Sequence, residues 1–177
     1  DDIKYAKKMG TSIKLLATSK KVGDGFYAMV SPVMIDGTNP LFSVNGVFNA
    51  IFVHGNVLGD AMFYGSGAGK LPTASAVVAD VVDAAKHLNR NIMMNWSSKK
   101  LELMDISQVE ERFFVRMKGS VAADGQKVKE LFGDAAFVEA DDLEGEFAFV
   151  TGVMTEAAYQ EKAQHADGII SMIRARF

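Results

Sequence analysis

Three glycines at alternate positions, Gly65, Gly67 and Gly69, end an apolar segment and open into Lys70-Leu-Pro-Thr-Ala-Ser-Ala-Val-Val-Ala-Asp80. Glycine takes positive φ freely and lets a backbone approach a ligand or another segment where a side chain would collide. Pro72 suits a first helical turn, where a missing N–H costs nothing. From Ala74 to Leu88 the run is rich in Ala, Ser and Val, so whatever packs on that helix can come close. Lys86, His87 and Arg90 stand near its end, where cations favour the helix dipole. The stretch therefore reads as strand, tight turn and helix.

Two phosphate motifs are tested by this turn, and both fail. A P-loop needs glycine at position 64 and Ser or Thr at 71, where the chain has Tyr64 and Leu71. A dinucleotide fingerprint starting at Gly65 and Gly67 needs glycine at position 70, which is Lys70. A glycine turn feeding a helix can still meet an anion or a cofactor edge. A tight structural turn is the competing reading, and spacing alone leaves both open.

Composition narrows the classes. The 177 residues suffice for one domain or two small ones. A net charge of −3 gives no electrostatic reason to expect nucleic acid or an anionic membrane as partner. No cysteine is present, which excludes disulfides, thiolate metal sites and a cysteine nucleophile and fits a cytoplasmic location. No apolar run reaches the roughly 18 residues of a membrane span. His54, His87 and His165 are far apart without carboxylates at ligand spacing, so surface or capping roles are expected and no metal site. The chain opens on Asp1 and directly into a helix, from which we expect a piece of a longer protein.

In order along the chain, residues 2–9 read as a helix that Asp2 can cap and Gly10 stops. Strands follow at 13–18 and 25–30, the second running past Pro32, where an edge or bend is expected. A long β segment at 44–53 turns at 56–59 into another at 61–64, and a helix spans about 73–90. The β segments from 13 to 64 are expected to form one mixed or antiparallel sheet. Residues 91–109 read as a connection with a short strand at 101–104, and Trp96 as a packing anchor. Then come a strand at 112–117, a helix at 125–132, strands at 135–139 and 146–153 flanking an acidic turn at 141–145, a helix capped by Thr155, and a last strand at 168–177. The order βαββαβ is the ferredoxin-like arrangement. The fold class is thus α+β, a sheet with flanking helices followed by a ferredoxin-like domain. The expected domains are 1–90, a linker at 91–109, and 110–177.

The strings Ser43-Val-Asn-Gly-Val-Phe-Asn-Ala50, Met62-Phe-Tyr-Gly-Ser-Gly-Ala-Gly69 and Pro72-Thr-Ala-Ser-Ala-Val-Val-Ala-Asp80 closely resemble bacterial homoserine dehydrogenases. Asp2-Ile-Lys-Tyr-Ala-Lys and Ile13-Lys-Leu-Leu-Ala17 fit the same family in the same order, so the resemblance covers about residues 1–90. It implies an NAD(P)-dependent oxidoreductase interconverting L-homoserine and L-aspartate 4-semialdehyde, on the route to threonine, methionine and isoleucine. The family's Gly-x-Gly-x-x-Gly Rossmann turn and its Gly-x-Asp-x-x-x-Lys catalytic motif do not occur in these residues. The piece alone is accordingly expected to be inactive, with no catalytic residue of its own and no cofactor held by itself.

In the family the glycine stretch lies against the nicotinamide end of the cofactor. That role carries over to Gly65, Gly67 and Gly69, with Ala68 and Thr73 as neighbours, and Gly67 foremost. Residues 110–177 resemble an ACT domain, a small regulatory module that senses amino acids and pairs side by side. The corresponding turn, Gly119-Ser-Val-Ala-Ala-Asp-Gly125, has Asp124 and Gly125 but lacks the proline of the ACT pattern. A dimer and an amino-acid effector are the implied partners; a regulatory or dimerising module without catalysis is the alternative.

Overall fold

The computed structural model describes residues 1–140 and 142–177. Asp141, the first residue of the acidic turn expected at 141–145, lies outside the described residues. Helices are α1 (Asp2–Lys8), α2 (Lys70–Lys86), α3 (Val121–Phe132) and α4 (Glu156–Ala163). Strands are β1 (Ser12–Val22), β2 (Gly25–Ile35), β3 (Phe48–Gly55), β4 (Gly59–Ser66), β5 (Glu110–Lys118), β6 (Ala135–Val138), β7 (Glu146–Thr151), β8 (Met154–Thr155) and β9 (Ile169–Arg176). The chain forms two compact units, residues 1–39 with 101–177, and residues 40–100.

In the first unit the strands run in the order β1-β2-β9-β5-β7-β6, with β8 paired to β5. The segment β5-α3-β6-β7-α4-β9 is a βαββαβ array, as its sequence order implied. Alternation builds its core. Phe113, Val115 and Met117 of β5 join Phe147 and Phe149 of β7 beneath Val128 and Phe132 of α3 and Tyr159 of α4. Their neighbours Phe114, Ala148 and Val150 point to the other face. There they meet Tyr5 and Ala6 of α1, and the Tyr5 and Phe114 rings lie 5.9 Å apart at 55°. Full burial of a side chain the size of Tyr5 or Phe114 contributes about 2–3 kcal/mol. α1 is thereby fixed to the sheet.

The β1–β2 hairpin joins this same sheet. It closes at Val22 opposite Gly25, with Gly23 at φ 58°. β2 then pairs in parallel with β9 over Val33–Arg174, Met34–Ala175 and Ile35–Arg176. Pro32 lies opposite Leu15 just before that contact begins, so its missing N–H interrupts no ladder on the β9 side.

The structure departs from the sequence expectations at several points. The β segments from 13 to 64 do not form one sheet, because β3 and β4 pair only with each other. Residues 1–39 cluster with 101–177, a grouping unlike the expected division at 91–109. Trp96, expected as a packing anchor, is 84% exposed. The strand expected at 101–104 is a single bridge, Leu103 to Phe26, held by Met104 N–H donating to the Phe26 carbonyl at 2.8 Å.

The second unit is a hairpin and a helix. β3 and β4 pair in register from Phe48–Ser66 to Gly55–Gly59. The alternation places Ile51, Val53 and Phe63 on one face and Phe52, Met62 and Tyr64 on the other, so both faces are apolar. Phe48 and Tyr64 stack with ring centres 4.9 Å apart. α2 buries none of its residues, and Leu71, Val77, Val78 and Val81 are all exposed.

Candidate functional site

The five residues singled out by the sequence form one continuous strand–turn–helix element. Gly65 sits in β4 opposite Asn49 of β3. Ala68 lies in the turn, and Gly69 is the N-cap of α2 with φ 123° and ψ 156°. That φ belongs to glycine, since an L side chain would be strained there. Thr73 N–H donates to the Gly69 carbonyl at 3.1 Å, which closes the first turn of α2. Pro72 is the third residue of that helix, where its absent N–H is unneeded. All five residues are exposed.

The three glycines are unequal. A Cβ built on Gly67 would lie 2.7 Å from Asn49 Nδ2, and one on Gly69 would meet Pro72 Cδ at 3.4 Å. One built on Gly65 would meet nothing within 4 Å. The turn therefore presents bare backbone at 65 and a carboxamide beside 67. From 65 to 73 Lys70 is the sole charged side chain, so the turn offers mainly backbone and small side chains.

Elsewhere the histidines behave as local fasteners. His54 Nδ1 lies 2.5 Å from Asp60 Oδ1 across the far end of the β3–β4 hairpin. His87 caps α2 and its Nδ1 lies 2.9 Å from the Asp83 carbonyl oxygen. Among the described residues no group of three or more His, Asp or Glu could hold a metal ion. Among the described residues no helix is long and apolar enough to cross a membrane.

The turn that matched the ACT pattern by position is part of a helix. α3 begins at Val121, four residues before its expected start. Ser120 Oγ accepts from Ala123 N–H at 3.2 Å, and Asp124 Oδ2 accepts from Ser120 N–H at 3.0 Å. This is a reciprocal cap of the Ser/Thr–acid type, shifted by one residue. Asp124 also lines a cleft of about 230 Å³ with Met117, Lys127, Val128, Leu131, Ala166 and Asp167.

The chain is thus α+β, with a ferredoxin-like array in one unit and a glycine-turn hairpin and helix in the other. Residues 1–82 match the family model of homoserine dehydrogenase. The chain is 30% identical to the homoserine dehydrogenase of Pseudomonas aeruginosa over 97% of its own length and 38% of that protein's. It is 48% identical to the enzyme of Neisseria gonorrhoeae over 48% of its length and 20% of that protein's. A homoserine dehydrogenase structure from S. aureus, solved at pH 7.5, superposes with a TM-score of 0.74 at 26% identity, covering 99% of this chain and 44% of that one. One from Thiobacillus denitrificans, at 23% identity and a TM-score of 0.77, shares the fold over 99% of this chain and 44% of its own. The chain is thus similar to part of the homoserine dehydrogenases, by family model over residues 1–82 and by relatives over nearly its whole length. It spans 20% to 44% of the length of the proteins just named.

Proposed function

We propose that this chain is the part of a cytoplasmic, NAD(P)-dependent homoserine dehydrogenase that carries the nicotinamide-side glycine turn, a dimerisation surface and an ACT-type regulatory module. The whole protein interconverts L-homoserine and L-aspartate 4-semialdehyde. The observation that carries this reading is the turn itself. Bare backbone at Gly65, a carboxamide against Gly67 and a glycine-only φ at Gly69 form a cradle that side chains would fill. Those residues fit the flat end of a dinucleotide, which when bound takes up the hydride. Gly65, Gly67 and Ala68 give it room, while Gly69 and Thr73 fix the direction of α2. The residues that move the proton belong to the rest of the enzyme.

The test is the mass of the full-length gene product together with its homoserine-dependent reduction of NAD(P). Gly67→Val in that protein should lower kcat/KM on the order of 10²-fold, as expected for misplacement by about an ångström. Normal kinetics in Gly67→Val would remove the turn from the cofactor site.

A second reading is favoured by the cleft beside Asp124: a module that binds an amino acid without catalysis. Threonine or another pathway amino acid should then raise Tm, since a ligand selective for the native state stabilises it. No shift with any of them leaves a dimerising role alone.

A further inference from the structure

The glycines at 65, 67 and 69 lack side chains for three different reasons. Gly69 has a φ of 123°, outside the range of other residues. Gly65 and Gly67 do not have positive φ, so the backbone would accept alanine at either position. Gly65 faces open space. At Gly67 the three atoms nearest to a built Cβ all belong to one side chain, Asn49, at 2.7 Å (Nδ2), 3.4 Å (Cγ) and 3.6 Å (Cβ). Asn49 stands opposite Gly65 in the ladder, and with no side chain there its amide reaches over Gly67. Ser66, paired with Phe48, falls on the opposite face of the ribbon. A side chain at 67 would thus displace the Asn49 amide.

We propose that Asn49 is the positioning residue of this turn, its carboxamide seated in the space Gly67 vacates and pairing with the carboxamide of a nicotinamide ring. This rests on the reading that the turn faces that end of the dinucleotide. A primary amide offers two donors and an acceptor side by side, so two amides can exchange a reciprocal pair of hydrogen bonds. Bare backbone at Gly65 leaves room for the ring beside it.

The experiment uses the full-length enzyme. Asn49→Ala should raise the dinucleotide Kd, read by equilibrium titration without homoserine, about tenfold, the scale of one lost hydrogen bond. Its KM should rise in parallel, while the KM for homoserine stays nearly unchanged. It should also abolish the preference for the nicotinamide over the 3-acetylpyridine dinucleotide, because the second lacks the amide donor. Asn49→Asp keeps the shape without the donor and must reproduce the loss, which separates recognition from packing. Gly67→Ala should be harmful beside Asn49 and nearly silent in the Asn49→Ala background, a non-additivity that direct contact requires. Unchanged dinucleotide KM and discrimination in Asn49→Ala and Asn49→Asp would overturn the proposal, as would equal harm from Gly67→Ala in both backgrounds. If Gly67→Val also keeps normal kinetics, the placement of the turn itself has failed; if Gly67→Val is crippled while both Asn49 variants are normal, only the role of Asn49 has.

Discussion

Arg116 reaches diagonally from β5 to Glu146 at the start of β7, its Nη1 donating to both carboxylate oxygens at 3.1 and 2.9 Å. Its Nε donates to Asp2 of α1 at 2.9 Å, and Ser171 Oγ of β9 donates to the same carboxylate oxygen at 2.6 Å. Asp2, expected to cap α1, is used in this network, and α1 has Asp1 at its N-cap with no side-chain cap bond. Burial lowers the proton affinity of the Arg116 guanidinium, but Glu146 and Asp2 more than offset it and hold its pKa above the ordinary arginine value.

Removing Arg116 leaves two carboxylates facing each other on the α1 side of the sheet. Arg116→Ala should destabilise the chain by about 3 kcal/mol, in the range for one partner removed from a mostly buried pair. Chemical denaturation checks the value. Arg116→Lys should recover only part of it, because an ammonium cannot supply the planar fork. Equal stability of Arg116→Ala and the parent would mean that α1 is held by its apolar contacts through Tyr5 and Ala6.

Gly119 precedes the α3 cap with φ 117°, and a Cβ there would strike Asp124 Oδ2. Gly119→Ala combines left-handed strain with displacement of the carboxylate that holds Ser120 N–H. The expected loss is about 2–3 kcal/mol in thermal or denaturant unfolding. Ser120→Ala, which removes one capping bond, should cost about 1 kcal/mol. A Gly119→Ala variant no less stable than Ser120→Ala would show that the cap can rearrange.

These two networks show where the sequence was legible. Thr155 at the start of α4 was readable because the cap is local, and its Oγ1 indeed accepts from Ala158 N–H at 3.2 Å. The βαββαβ order was readable because Phe113, Val115 and Met117 alternate with outward residues of the same strand. The start of α3 was missed because Val121-Ala-Ala-Asp-Gly125 carries a glycine, yet Ser120 followed by Asp124 was an available capping signal. The docking of the β1–β2 hairpin onto β9 had no local trace, since it rests on Val33, Met34 and Ile35 meeting a strand about 140 residues further on. At the glycine turn the strand–turn–helix form was legible from the residues, while the choice of Gly65, Gly67, Ala68, Gly69 and Thr73 came from the family resemblance. Asn49 was not legible, because nothing in an Asn eighteen residues before a glycine says that its amide lies on it.

Tyr159 is buried in α4, stacked on Phe113 with ring centres 4.4 Å apart. Burial, with a smaller push from Glu156, raises its hydroxyl pKa to about 12. The unfolded chain releases this proton near pH 10 and the folded one does not. The stabilisation is therefore complete below pH 10 and is lost as pH rises from 10 to 12, by about 2 kcal/mol after allowance for residual solvent. Tyr159→Phe should flatten this part of the stability profile, which denaturation at stepped alkaline pH will show. An identical slope in both proteins would assign the alkaline loss to other groups.

The second unit poses the question of what covers it. Ile51 and Phe63 stand directly opposite each other on one face of the β3–β4 ribbon and are 66% and 69% exposed. A ribbon apolar on both faces belongs to an interior sheet, and contiguous exposed apolar area of this kind marks an interface. Under the proposed dimeric enzyme, this face meets a second copy. Light scattering on the 19.2 kDa chain should then show concentration-dependent self-association. Phe63→Lys should return it to the monomer mass with its circular dichroism unchanged, since burying an ammonium without a partner is unfavourable by several kcal/mol. In the full-length enzyme the same change should lower the assembly mass and the activity together. Lost activity at unchanged mass would show instead that this face is covered by the enzyme's own chain.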